Sequence, residues 1–62
     1  MKQATLVVKA QGWYVNLPID GFHDNDLCIE AYRRCGEDEE MTCVGRFWYT
    51  AIDAWYITER SV

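Results

Sequence analysis

The chain reads as a small α+β domain over residues 1–62, ordered ββαββ: a four-stranded antiparallel sheet with one helix packed on one face. Three observations carry that expectation. Two stretches near the start alternate apolar and polar residues with a period of two. A central run has the start, stripe and stop of a helix. Two further β-rich runs follow it. Strands grouped on either side of one helix are solved most simply by a single sheet with the helix across it.

The first strand is "ATLVVKA", residues 4–10, with Leu6, Val8 and Ala10 on one face and Thr5, Val7 and Lys9 on the other. Gln11 and Gly12 form the turn, since glycine accepts positive φ. The second strand is "WYVNLPI", where Trp13, Val15, Leu17 and Ile19 alternate with Tyr14, Asn16 and Pro18. Pro18 has no N–H to give a ladder, so this strand lies at an edge or ends there. A hairpin joins the two. "DGFHDND", residues 20–26, is a loop ending in helix-start chemistry. Asp24 or Asn25 can cap, and Asp26 suits the positive end of the dipole. The spacing predicts a helix through "DLCIEAYRRC", residues 26–35. Leu27, Ala31 and Cys35 make its stripe, Arg33 and Arg34 occupy the last turn, and Gly36 takes the left-handed position past the end. After the polar connection "EDEE" comes "MTCVGRFWYT". Met41, Cys43, Gly45, Phe47 and Tyr49 alternate there with Thr42, Val44, Arg46, Trp48 and Thr50. A turn near "AIDA" precedes the last strand, "WYITER".

Sixty-two residues make one domain of marginal stability unless the core is dense. The composition answers this: half the residues are hydrophobic and 15% are aromatic. Each large ring buries roughly 150–250 Å². Trp-Tyr occurs three times, at 13–14, 48–49 and 55–56. On a strand, each pair sends one ring inward and one outward. The outward rings would form an aromatic patch on the sheet face that the helix leaves open, which a lone domain normally avoids.

Charge is unevenly placed. The net charge is −4, yet Asp20, Asp24, Asp26, Glu30, Glu37, Asp38, Glu39 and Glu40 stand against only Arg33 and Arg34 between residues 20 and 40. The remaining segments are slightly basic. An acidic surface has no footprint for direct nucleic-acid binding. It suits docking on a basic partner, including mimicry of a nucleic acid. The candidate partner-binding residues are therefore Asp24, Asp26, Glu37, Asp38, Glu39 and Glu40 for the field, and Trp48, Tyr49, Trp55 and Tyr56 for the hot spots.

No catalytic motif stands out, and the chain is read as a non-enzyme. "DGFHDND" lacks the residue order of a calcium loop. His23, Cys28, Cys35 and Cys43 lack the spacing of a zinc site. No metal and no cofactor are expected. Three cysteines, an odd number, in a chain without a signal peptide or a long apolar run argue against a disulfide framework and for small buried apolar side chains in a cytosolic protein with no membrane contact, with the pairing of Cys28, Cys35 and Cys43 left open. Cys28 and Cys35 would lie about 10.5 Å apart along the helix axis.

With "EDEE", the acids around it and the aromatics of "FWYTAIDAWYIT", the profile resembles the small inhibitors that bacteriophages make against host machinery, anti-CRISPR proteins above all. In general plan it is also similar to short phage inhibitors of host RNA polymerase. The resemblance is one of class and transfers no individual residue. It implies a protein of the bacterial host cytosol that blocks a host defence or nucleic-acid-handling complex by covering or mimicking a nucleic-acid contact. A different class remains open: a small homodimeric module packing through an aromatic sheet face.

Overall fold

The computed structural model describes the backbone of residues 2–61 and the side chains of residues 3–59. The charges of Lys2 and Arg60, counted above, lie outside the described side chains. Six strands form two antiparallel sheets: β1 (Lys2–Ala10), β2 (Trp13–Ile19), β3 (Gly21–Asp24), β4 (Cys28–Cys35), β5 (Glu40–Trp48) and β6 (Ala54–Ser61). Sheet A has the order β2-β1-β6, and sheet B the order β3-β4-β5. A single 3₁₀ turn, Tyr49–Ala51, joins β5 to β6. The fold is therefore all-β, and both the ββαββ order and the four-stranded sheet are corrected.

The first hairpin forms where alternation places it. Leu6 faces Leu17 and Val8 faces Val15, with Ala10 opposite Trp13 across a two-residue turn. Gly12 has φ 88°, which a side chain would disfavour. β6 then pairs on the far side of β1, setting Ile57 against Leu6 and Trp55 against Val8. β2, which carries Pro18, is an edge of sheet A.

Only Asp20 separates β2 from β3, so residues 13–24 run as one bent path from sheet A into sheet B. The bend is tied at Asp20. Its N–H donates to the Tyr32 carbonyl at 2.9 Å, and its carboxylate accepts from the Arg34 N–H at 2.7 Å.

The expected helix at 26–35 is the strand β4, the centre of sheet B. From Ile29 to Tyr32 its burial follows a strand: Ile29 and Ala31 are fully buried, while Glu30 and Tyr32 on the other side are half-buried; Cys28, at its start, is buried as well. A helix would have buried Leu27, Ala31 and Cys35 together, yet Leu27 and Cys35 are exposed. The apparent N-cap is genuine capping chemistry serving a different element. Asn25 Oδ1 accepts from the N–H of Leu27 at 2.7 Å and of Cys28 at 3.0 Å, closing an Asx turn that leads into β4. Gly36, with φ 78°, opens a hairpin turn instead of ending a helix.

That β4–β5 turn, residues 36–39, closes with the Glu39 N–H donating to the Gly36 carbonyl at 3.2 Å. Glu39 sits at φ 51°, the only non-glycine with positive φ among the described residues. A left-handed side-chain residue costs roughly 1–2 kcal/mol. Glu39→Gly is accordingly expected to stabilise the domain by about 0.5–1 kcal/mol, measured as a higher urea midpoint with an unchanged slope.

The core joins the sheets. Leu6 and Val8 from β1, Ile19 from β2, and Ile29 and Ala31 from β4 are buried, flanked by Leu17, Phe47, Tyr49, Ile52, Trp55 and Ile57. The sheets pack closely at Gly45, where an added Cβ would meet Leu17 Cδ2 of sheet A at 3.2 Å and Phe47 Cε2 at 3.1 Å. Next to it lies a β-bulge: Ala31 faces Gly45 but Tyr32 faces Cys43, leaving Val44 as the extra residue. Beyond the bulge the alternation flips, so Met41 and Cys43 no longer share the face of Gly45 and Phe47.

Candidate functional site

The ten residues expected to bind a partner fall in three places. Asp24 and Asp26 flank the Asx turn between β3 and β4, while Glu37, Asp38, Glu39 and Glu40 belong to the turn at the other end of β4. An eight-residue strand holds the two groups about 24 Å apart at ~3.4 Å per residue. They are two acidic patches, not one field around a helix. Cys28 and Cys35 are separated by the same strand length instead of the helical 10.5 Å. All three cysteines are free, and Cys28 alone is buried.

The aromatic pairs also divide. Trp48, 49% exposed, ends β5 on the outer side of sheet B, while Tyr49 turns inward and packs on the core. Trp55 faces inward beside Ile57, while Tyr56 lies on the outer face of sheet A. One ring in and one out holds for these two pairs. At the first pair both rings are largely exposed, because Trp13 sits beside the hairpin turn and Tyr14 on the outer face of an edge strand. The single open aromatic sheet face is corrected: the exposed rings belong to different surfaces. Tyr14 and Tyr56 share the outer face of sheet A with Lys9, whose ammonium stands 5.7 Å from the Tyr56 ring centre.

One end of the molecule gathers half of the expected residues. The Tyr49 N–H donates to the Leu27 carbonyl at 3.0 Å, extending the β4–β5 ladder past Trp48 and seating the 3₁₀ turn against the Asx turn. Burial raises the Tyr49 phenol pKa, and the nearby Asp24 carboxylate raises it further, followed by Cys28 and Asp26. Both acids therefore bear on this ring. The other side of the turn is held by the Asp53 N–H donating to the Lys9 carbonyl at 2.8 Å. Tyr49, Ile52, Asp53, Ala54 and Trp55 line an open cleft of about 360 Å³. Trp55 in turn meets Phe22 of β3, with centroids 6.2 Å apart and planes tilted by 59°. Leu27, 66% exposed, stands at the same end. Asp24, Asp26, Trp48, Tyr49 and Trp55 are thus brought together, and Glu37–Glu40 and Tyr56 are not.

Sequence reasoning missed Phe22, Leu27 and Asp53 at this end. Leu27 was assigned to a helical stripe and Asp53 to an ordinary turn. Their signal was available in the flanking turn residues, but only the pairing of β4 with β5 makes those turns neighbours.

A second polar group crosses the outer face of sheet B, where His23, Glu30 and Arg46 stand in one cross-strand row. Arg46 donates from Nε and from a terminal nitrogen to Glu30 Oε2 at 3.0 and 2.8 Å, and His23 Nδ1 lies 3.5 Å from Glu30 Oε1. The Arg46 hydrogen bond holds the Glu30 carboxyl below its ordinary pKa, against the opposing effect of desolvation. A folded-state pKa below the unfolded one adds stability that is complete above the unfolded value, about 4.3, and is lost as pH falls through the folded value. Acid unfolding is expected to lose part of its steepness in Glu30→Gln. In Arg46→Met the Glu30 carboxyl should titrate at higher pH, read from its side-chain ¹³C signal.

Among the described residues no group of three or more histidine, cysteine or acidic side chains is placed to hold a metal ion. No helix there is long and apolar enough to cross a membrane. No protein-family model, curated protein or solved structure matches this chain.

Proposed function

We propose that this chain is a non-enzymatic binding protein that docks through its acidic, aromatic end onto a basic surface of a host nucleic-acid-handling or defence complex, as a small phage inhibitor would. The observation that carries the reading is the meeting of Asp24, Asp26 and Asp53 with Trp48, Tyr49, Leu27 and Trp55 at one end of the two sheets. Exposed Trp and Leu beside carboxylates combine apolar burial with electrostatic selection, the composition of an interface centre and its rim. Backbone hydrogen bonds from Tyr49 to Leu27 and from Asp53 to Lys9 tie the turns of this end to the sheets, which lowers the ordering cost of association. Self-association through an aromatic sheet face has less support. The outer face of sheet A intersperses its two tyrosines with Thr5, Lys9, Asn16 and Thr58.

Affinity capture from a bacterial lysate tests the proposal, with Trp48→Ala and the double variant Asp24→Asn/Asp26→Asn as comparisons. The wild-type chain should retain a nucleic-acid-handling complex in low salt and release it as salt rises. Trp48→Ala should weaken retention at every salt concentration, whereas the double variant should flatten the salt dependence. Equal retention by all three chains would remove this end from the interface.

A further inference from the structure

We propose that the cleft between the 3₁₀ turn and the start of β6 receives the guanidinium of an arginine side chain from a basic peptide segment. This rests on the docking reading and specifies the chemistry of its partner. The open cleft is lined by two aromatic residues, Tyr49 and Trp55, by the apolar Ile52 and Ala54, and by the carboxylate-bearing Asp53. Asp24 and Asp26 add negative potential at the Tyr49 ring.

No described cation neutralises this end. Arg46 is committed to Glu30 on the outer face of sheet B, and the Lys9 ammonium is turned over Tyr56 on the outer face of sheet A. Asp24, Asp26 and Asp53 have no ion-pair partner among the described residues. Negative charge beside aromatic rings selects an organic cation over a neutral or anionic ligand. Between the two basic side chains, arginine fits better. Its planar, weakly hydrated group stacks on rings and presents a fork of donors to carboxylates, whereas an ammonium is a compact, strongly hydrated charge. The volume, about 360 Å³, is at the small end of ligand sites and suits one side chain.

The test is an NMR titration of the ¹⁵N-labelled full chain with acetyl-Gly-Arg-Gly-amide. The same peptide with citrulline, the neutral isostere of arginine, and with lysine serve as comparisons. The arginine peptide should give weak, saturable shifts at Tyr49, Asp53 and the Trp55 indole. The citrulline peptide should give none, and the lysine peptide should bind more weakly. Asp53→Asn is an exposed substitution expected to retain the fold, and it should weaken arginine binding roughly three- to fivefold. Tyr56→Ala, on the opposite face of sheet A, should bind as the wild type does. Equal shifts with citrulline or lysine would overturn the assignment, as would shifts confined to residues 37–40. Shifts at Trp48 and Leu27 with none at Asp53 and Trp55 would also remove it, while leaving the docking end in place. Loss of the docking reading itself would show separately, as equal lysate retention by the wild type and its variants.

Discussion

Trp55→Ala is expected to cost up to about 3 kcal/mol, the ring being partly buried against the core, and to lower the thermal midpoint strongly. A chain of 62 residues has roughly 3–9 kcal/mol of total stability, so the loss is a large share of it. Trp55 lies opposite Val8, a fully buried core residue, and makes a tilted ring contact with Phe22. Its side chain therefore ties the edge of sheet A to the edge of sheet B, where no backbone hydrogen bonds join β6 to β3. Trp48→Ala is the matched comparison. That ring is half exposed at the end of β5, and its loss should change stability by no more than about 0.5 kcal/mol. Urea unfolding followed by circular dichroism measures both. A Trp48 variant as damaged as the Trp55 variant would mean that the two rings have been assigned to the wrong sides.

Ile29→Ala is expected to cost about 2–5 kcal/mol, because the side chain is fully buried at the centre of sheet B and the backbone around it cannot collapse into the gap. Ile29→Leu separates the strand from the helix that residues 26–35 suggest. Leucine is the better helix former, so a helix would gain slightly. A buried β-strand site shaped for a β-branched side chain loses up to about 1.5 kcal/mol. A thermal midpoint lower than that of the wild type is the expected result. An increase would contradict the placement of Ile29 between Phe47 and Asp24 in the ladder.

The helix expectation failed for a specific reason. An Asx turn and a helix N-cap use the same side-chain oxygen to accept from backbone N–H groups two and three residues ahead. Asn25 makes those bonds in this structure. A glycine with positive φ likewise ends helices and opens hairpin turns, and Gly36 does the second. Between these signals lie only ten residues, too few for a period of 3.6 to be told from a period of two when Ile29, Ala31 and Tyr32 satisfy both in part. The shift at Val44 was equally hidden, since a bulge leaves no mark in an alternating sequence.

The candidate site was half legible. Residue types suited to docking were evident in Trp48, Tyr49, Trp55, Asp24 and Asp26, because bulky rings and clustered acids stand out in any arrangement. Their grouping was not. It follows from the Tyr49–Leu27 and Asp53–Lys9 backbone bonds, which join residues 22 and 44 positions apart.

Local chemistry alone determined the first hairpin, the β character of most of residues 41–50 and of 55–60, and the segregation of acid into the middle of the chain; the expected loop at 20–26 instead contains the strand β3, and Tyr49 and Thr50 belong to the 3₁₀ turn. The tertiary structure decided that residues 28–35 extend, that six strands divide into two sheets at Asp20, and that the acids separate to opposite ends of β4. Backbone preferences of a few tenths of a kcal/mol per residue set the first group. The second depends on ladder partners and on burial of Leu6, Val8, Ile29 and Ala31 against one another. Those contacts join residues distant in the chain and outweigh any local preference.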